Sequence, residues 1–276
     1  MDSSNMLHPT GNRKKVVAVI QVRMGSTRLP KKALMKIHGK TAIEWIQYRL
    51  SFCDEVDQVV LSTSDTLEND PLETLANELG MEYYRGSEAD LVDRMYRTAK
   101  KFHADAIVRI TADCPLVDPD IVDELVRVYR ENSDGVDHVT NIFPPTYPDG
   151  LDVEVMPLST LARLHREVTN PLYREWICTT IMEHPDEYTI LNRPYVKNIS
   201  DIRMTLDFPE DLTLIEEIFV ALHTEGSIFG LREILDLFEK DPRLVEINRQ
   251  RVDQGILDNI RSAEFHELKK QDTSNI

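Results

Sequence analysis

Cysteine is scarce in this chain, and so is positive charge. The 276 residues carry three cysteines, Cys53, Cys114 and Cys178, an odd number at wide spacing. That pattern argues for reduced thiols and against a disulfide framework or a sequence-local zinc site. Lys and Arg together number 32 against 48 Asp and Glu, a formal charge of -16. Nucleic-acid phosphates would be repelled by such a surface, so no nucleic-acid partner is expected. No apolar run approaches the roughly 20 residues that span a bilayer. Met1 to Lys15 is polar, without the apolar core of a signal peptide, and reads as a flexible leader. These absences point to a cytoplasmic protein with no membrane partner. Also missing are a P-loop, a G-x-G-x-x-G fingerprint, a HExxH motif, any Ser–His–Asp or Cys–His signature, internal repeats and low-complexity tracts. None of the eight histidines has ligand spacing, so none is expected to bind metal.

What remains is a strand–helix alternation. Val16 to Val22 is apolar on both faces, as a central parallel strand should be. Further strands are predicted at Val59–Thr63, Glu82–Tyr84 and Ala106–Thr111. Helices are predicted from Thr41, which forms a capping box with Glu44, over Leu67–Leu79, from Glu88 after a Ser87 cap, and from Pro119 after Asp118. The pattern implies an α/β fold with a mostly parallel sheet sandwiched by helices. From Val136 the rhythm changes. A proline-rich loop, Phe143–Gly150, leads to a strand at Asp152–Met156, helices at Ser159–Val168 and Leu172–Glu183, and strands at Tyr188–Asn192 and Ile202–Leu206. Helices at Pro209–Leu222 and Leu231–Phe238 follow. The spacing of Val252, Ile256 and Ile260 predicts a docking helix. Composition nowhere shifts sharply, so one domain is expected over 16–240, with an excursion at about 142–200 and a helical tail over 241–276.

The loop Arg23-Met24-Gly25-Ser26-Thr27-Arg28-Leu29-Pro30-Lys31-Lys32 follows the first strand, at the sheet edge where open α/β folds bind ligands. Four cations, a glycine and two hydroxyls make a local cradle for phosphates in an acidic chain. A solvated basic loop is the plain alternative. Asp113 follows a central strand, and Asp207 precedes Phe208-Pro209. Aspartates on separate strands suit Mg²⁺, which takes a few carboxylate oxygens along with water and phosphates. A simple turn at Asp113 and helix capping at Asp207 are the alternatives. Alternation in Asp152-Val153-Glu154-Val155 puts the two carboxylates on one strand face, either facing a ligand or solvated on an edge strand.

The loop string resembles the signature of the cytidylyltransferases that make CMP-activated sugars. It is nearest to the spore-coat polysaccharide biosynthesis cytidylyltransferases, relatives of CMP-Kdo and CMP-sialate synthetases. The resemblance runs from Val16 to Leu222 through Ser62-Thr63-Ser64-Asp65, Arg85-Gly86-Ser87 with Asp93-Arg94, and Arg109-Ile110-Thr111-Ala112-Asp113-Cys114-Pro115. It continues through Tyr147-Pro148-Asp149-Gly150-Leu151-Asp152-Val153-Glu154-Val155 and Thr205-Leu206-Asp207-Phe208-Pro209-Glu210-Asp211-Leu212. It implies a nucleotide-diphospho-sugar transferase fold, like glycosyltransferase A. The implied activity is transfer of CMP from CTP to a sugar, sugar acid, polyol or phosphorylated or phosphonate acceptor, with pyrophosphate released. A phosphosugar nucleotidyltransferase using another NTP and a non-catalytic nucleotide-binding module are the competing functions.

By the same resemblance Asp113 and Asp207 would bind Mg²⁺ or Mn²⁺, and Arg23, Arg28 and Lys32 would serve catalysis. Nucleotide contacts would come from Val22, Arg23, Met24, Gly25, Ser26, Arg28, Lys32, Ser64, Arg85, Asp93, Arg94, Thr111, Ala112 and Asp113, with the acceptor meeting Asp149, Gly150, Asp152, Glu154 and Arg174. Lys31 stands where the family places glycine, Trp176 where relatives often have histidine, and Phe208 where threonine is usual. Phe208 cannot cap a helix, so Asp207 or Asp211 is expected to compensate. Relatives pair through the central region. Together with Trp176, Ile177, Tyr188, Ile190 and the terminal apolar stripe, this suggests a homodimer.

Overall fold

The computed structural model describes residues 13–254. Strand β1 (Val16–Gln21) lies buried at the centre. Past the cradle loop, the two-residue strands β2 (Lys36–Ile37) and β3 (Lys40–Thr41) form a separate ribbon. Thr41 then opens α1 (Ala42–Leu50) with the expected capping box: its Oγ1 accepts from Glu44 N, and Glu44 accepts from Thr41 N. Next come β4 (Gln58–Ser64), α2 (Asp70–Glu78), β5 (Glu82–Gly86), α3 (Leu91–Lys101), β6 (Ala106–Thr111) and α4 (Pro119–Glu131). The cap of α3 is Asp90, which accepts from Asp93 N; Ser87 instead accepts from Asp90 N, one turn earlier than a cap would. The helix therefore starts three residues later than predicted.

The second half is β7 (His138–Thr140), β8 (Glu154–Pro157), α5 (Leu158–Glu167), α6 (Pro171–Glu175), α7 (Thr179–Glu183) and β9 (Ile190–Asn192). Helices α8 (Pro209–Leu222), α9 (Leu231–Lys240) and α10 (Arg243–Glu246) follow, and a 3-10 turn over Arg249–Gln254 ends the described chain. The seven-stranded sheet runs β5-β4-β1-β6-β8-β7-β9. Strands β5, β4, β1 and β6 are parallel, and β8 is antiparallel to both neighbours. One face packs α1, α4 and α8 around Trp45, Tyr129 and Phe219; the other packs α3, α5 and α7 around Met95, Leu164 and Ile181.

Two further expectations change. Leu172–Glu183 is two short helices broken at Trp176–Cys178, because this stretch turns its side chains toward a cavity. Residues 202–206 are no strand. They make a single bridge, Asp149 to Arg203, and are held by Met204 N to Asp149 O and Leu206 N to Asp113 O. Gly150 permits that approach: its φ is +103°, and a Cβ there would sit 2.5 Å from the Met204–Thr205 backbone. Finally, Ile177 and Tyr188 are buried in their own chain's core and Ile190 packs against it, which accounts for them without a second copy. Ile256 and Ile260 lie outside the described residues, as does most of the expected tail helix.

Candidate active site

A cavity of about 560 Å³ opens at the carboxyl ends of β1 and β6. Its wall includes Val22, Arg23, Gly25, Ser26, Arg28 and Lys32 from the cradle loop, and Thr111, Ala112 and Asp113 after β6. Asp149, Asp152, Glu154, Arg94 and Asp207 complete the expected residues found there. The loop is shaped by its own backbone. Ser26 N donates to Met24 O, Ser26 Oγ accepts from Leu29 N, and Lys32 N donates to Leu29 O. Lys31, exposed, takes φ of 60° in the left-handed region, which fits the family's preference for glycine at this position.

One tight arrangement dominates the cavity. Lys32 Nζ lies 2.7 Å from an oxygen of Asp113 and 2.7 Å from an oxygen of Asp207. The other Asp207 oxygen meets Arg28 at 2.9 Å and Arg203 at 3.1 Å. Arg203 is buried and also binds Asp149 at 2.8 Å and Asp211 at 3.1 Å. No strand carries Asp207; the Thr205 hydroxyl and Leu206 N both donate to Asp113 O and bring the two aspartates together. Asp211 caps α8, accepting from Phe208 N and Asp207 N, so it alone compensates for the phenylalanine. The Phe208 ring packs against guanidinium groups instead, 4.2 Å from Arg251 and 5.3 Å from Arg28.

The electrostatics follow from burial and these partners. Burial alone would raise Asp113, but Lys32 outweighs it and holds the carboxyl well below the usual range. Burial would likewise lower Lys32, and the two aspartates raise it instead. Asp149 is pushed up to about 6 by burial, with Asp113, Asp207 and Asp211 prevailing over Arg203. Asp152 is driven well above the ordinary value by burial and by Asp149, Glu154 and Asp113.

A second grouping surrounds Arg109, a charged residue in the otherwise apolar β6 sequence AIVRIT. It lies directly across from Glu154 on β8, and the two form an ion pair. Burial would raise Glu154, yet Arg109 brings it down to about 2. Glu154 is therefore neither on an edge strand nor solvated. Arg94 also faces the cavity; burial and the nearby Arg23 lower it to about 10, and its Nε has no partner. Arg23 spans to Glu175 at 3.2 Å, next to Trp176 in the cavity wall.

Several expected contacts lie off this wall. Met24 is buried behind the loop, its N donating to Asn69. Ser64 bonds Glu88 and Asn69. Arg85 is consumed by Glu73, Asp70 and two backbone carbonyls, and Asp93 by Arg97 and His165. Gly150 serves the backbone packing described above. Arg174 lies off the wall, its guanidinium held by Asp90 and the carbonyls of His165 and Val168, which fixes α6 against α3. Conversely, Arg109, Glu88, Glu175 and Cys178 line the cavity without having been singled out for a role. An arginine within a central strand was the one legible signal among them, because such a charge needs a buried partner.

A cytidylyltransferase family model matches residues 17–244. The chain is 29% identical to an uncharacterised Methanocaldococcus jannaschii protein, MJ1063, over 93% of this chain and 100% of that one. It is 26% identical to the spore coat polysaccharide biosynthesis protein SpsF of Bacillus subtilis, covering 82% and 95%. A solved cytidylyltransferase from Leptospira borgpetersenii superposes with a TM-score of 0.80 at 31% identity, over 84% of this chain and 97% of that one. The architecture is accordingly that of the nucleotide-diphospho-sugar transferases, as the motifs implied.

Proposed function

The chain belongs to the cytidylyltransferase family, and on that premise we propose that it transfers CMP from CTP to a small acceptor in surface polysaccharide or glycoconjugate synthesis. The observation that carries this reading is the Lys32 ammonium held between Asp113 and Asp207 at the foot of the cradle loop. In the proposed reaction an acceptor oxygen bonds to the α-phosphorus while the bond from that phosphorus to the β-phosphate bridging oxygen breaks. Pyrophosphate leaves with the electron pair. A phosphate or phosphonate acceptor brings an ionised oxygen; a hydroxyl acceptor gives up its proton to water as the new bond forms.

Arg23, Arg28 and Lys32 are fixed cations around the position proposed for the triphosphate, so they stabilise growing charge with little reorganisation. The carboxylates of Asp113 and Asp207 fit Mg²⁺ or Mn²⁺. They converge on one cationic atom and offer only oxygen donors, as a hard ion requires. When bound, the ion neutralises phosphate charge. Asp149, Asp152 and the Arg109–Glu154 pair, with Trp176, form the wall proposed to meet the acceptor.

Pyrophosphate release from each of the four NTPs, across sugar acids, polyols, phosphates and phosphonates, tests the proposal. Release from CTP alone, dependent on Mg²⁺ or Mn²⁺, is expected. Preference for another NTP would make the chain a different nucleotidyltransferase, and CTP binding with no turnover on any acceptor would favour the non-catalytic nucleotide-binding module.

A further inference from the structure

We propose that His138, Glu154 and Cys178 form a binding site for one Zn²⁺-class ion, separate from the Asp113–Asp207 carboxylates and independent of the CMP-transfer reading. The three residues are far apart in sequence, which is why their spacing reveals no motif. Topology gathers them. His138 and Glu154 stand on the adjacent strands β7 and β8, two residues apart on the same side of the register set by Thr140 opposite Glu154. Cys178 sits at the start of α7, packed over that face of the sheet. One ligand atom from each lies within 4.8 Å of the other two.

Geometry alone would not make a site; the unanswered polar atoms point to one. His138 is fully buried, and neither of its ring nitrogens has a hydrogen-bond partner. Glu154 is buried too; Oε2 is paired to Arg109, and Oε1 faces His138 Nε2 at 3.5 Å without an aligned hydrogen bond. Buried polar atoms of this kind are costly unless something fills them. A cation accepting one nitrogen, one oxygen and one sulfur would answer one His138 nitrogen and Glu154 Oε1 together.

The donor set selects the ion. Imidazole and thiolate favour Zn²⁺ or Co²⁺ over Mg²⁺ or Ca²⁺. The Cys178 thiolate supplies the ligand charge, since the Glu154 carboxylate is already shared with Arg109, and the thiol proton leaves to solvent on binding. Glu154 and Cys178 also line the cavity, so three protein ligands would leave a fourth position open into it.

The test uses the full chain, stripped by chelator, in excess Mg²⁺ so that oxygen-only sites are filled, with Co²⁺ as the probe. Expected is a saturable near-ultraviolet sulfur-to-cobalt band at one ion per chain, displaced by one equivalent of Zn²⁺. Cys178→Ser should abolish the band, His138→Gln should weaken Co²⁺ binding at least about tenfold, and Cys53→Ser should retain it. X-ray absorption of zinc-loaded wild type gives the donor set without any variant, and one sulfur with nitrogen and oxygen ligands is expected. An all-oxygen and nitrogen shell, or no saturable binding, overturns the site and leaves the cluster a buried His–Glu pair.

Discussion

The two groupings in the cavity differ in how their charges are answered. Around Lys32, each charge meets an opposite one: Asp113 and Asp207 share the ammonium, and Arg203 ties Asp207, Asp149 and Asp211 together. Around Arg109 the balance is incomplete, with Arg94 Nε, Glu154 Oε1 and both nitrogens of His138 lacking a hydrogen bond. The first region is set before any ligand arrives. The second has buried polar groups that remain costly until one does. A shared, preorganised step of the reaction suits the first, and recognition of a particular acceptor suits the second.

The strongest way to break the contrast is to unbalance the answered region. Arg203→Met leaves three carboxylates without their buried partner, and denaturant unfolding should show a loss of about 3–5 kcal/mol. Lys32→Ala, at the cavity surface, is expected to keep the fold but lower turnover about 10²–10³-fold, the scale for losing one preorganised charge. Pyrophosphate release reads that loss, and an unchanged rate would remove Lys32 from catalysis.

Asp149 sharpens the comparison through pH. Its folded value of about 6 exceeds the unfolded value near 4. The folded state thus holds the proton more tightly, and this group's stabilisation, complete below pH 4, is lost as pH rises through 6. Asp149→Asn should remove that fall, about 3 kcal/mol, from the stability curve. Asp113, held low, works in the opposite sense, its contribution present above pH 4 and lost on acidification. The smallest expected effect is Lys31→Gly. Relieving a left-handed lysine at φ of 60°, less glycine's extra chain entropy, should stabilise by about 1 kcal/mol or less. That is a rise in Tm of up to about 2–4 °C.

The parallel half of the sheet was legible because its strands are buried on both faces and its helices carry local caps: Thr41 with Glu44, and Asp118 before Pro119. Asp90 was missed in favour of Ser87 because both have capping side chains and only the backbone path decides between them. Residues 202–206 look like a strand by composition, yet they are held by scattered bonds to Asp113 and Asp149 that no periodicity encodes. In the site, the cradle loop was readable as a contiguous string. The Arg109–Glu154 pair, and the approach of Cys178 and His138 to it, depend on a β6–β8–β7 strand order that sequence alone does not give.

The central claim is that the Lys32 grouping and its loop bind the CTP triphosphate. Calorimetric titration of CTP with Mg²⁺ into wild type, Arg28→Ala and Lys32→Ala tests it most directly. Each variant should lose about 1.5–3 kcal/mol, or roughly 10- to 150-fold in affinity, for its charge-assisted bonds. Unchanged CTP affinity in both variants would contradict the account.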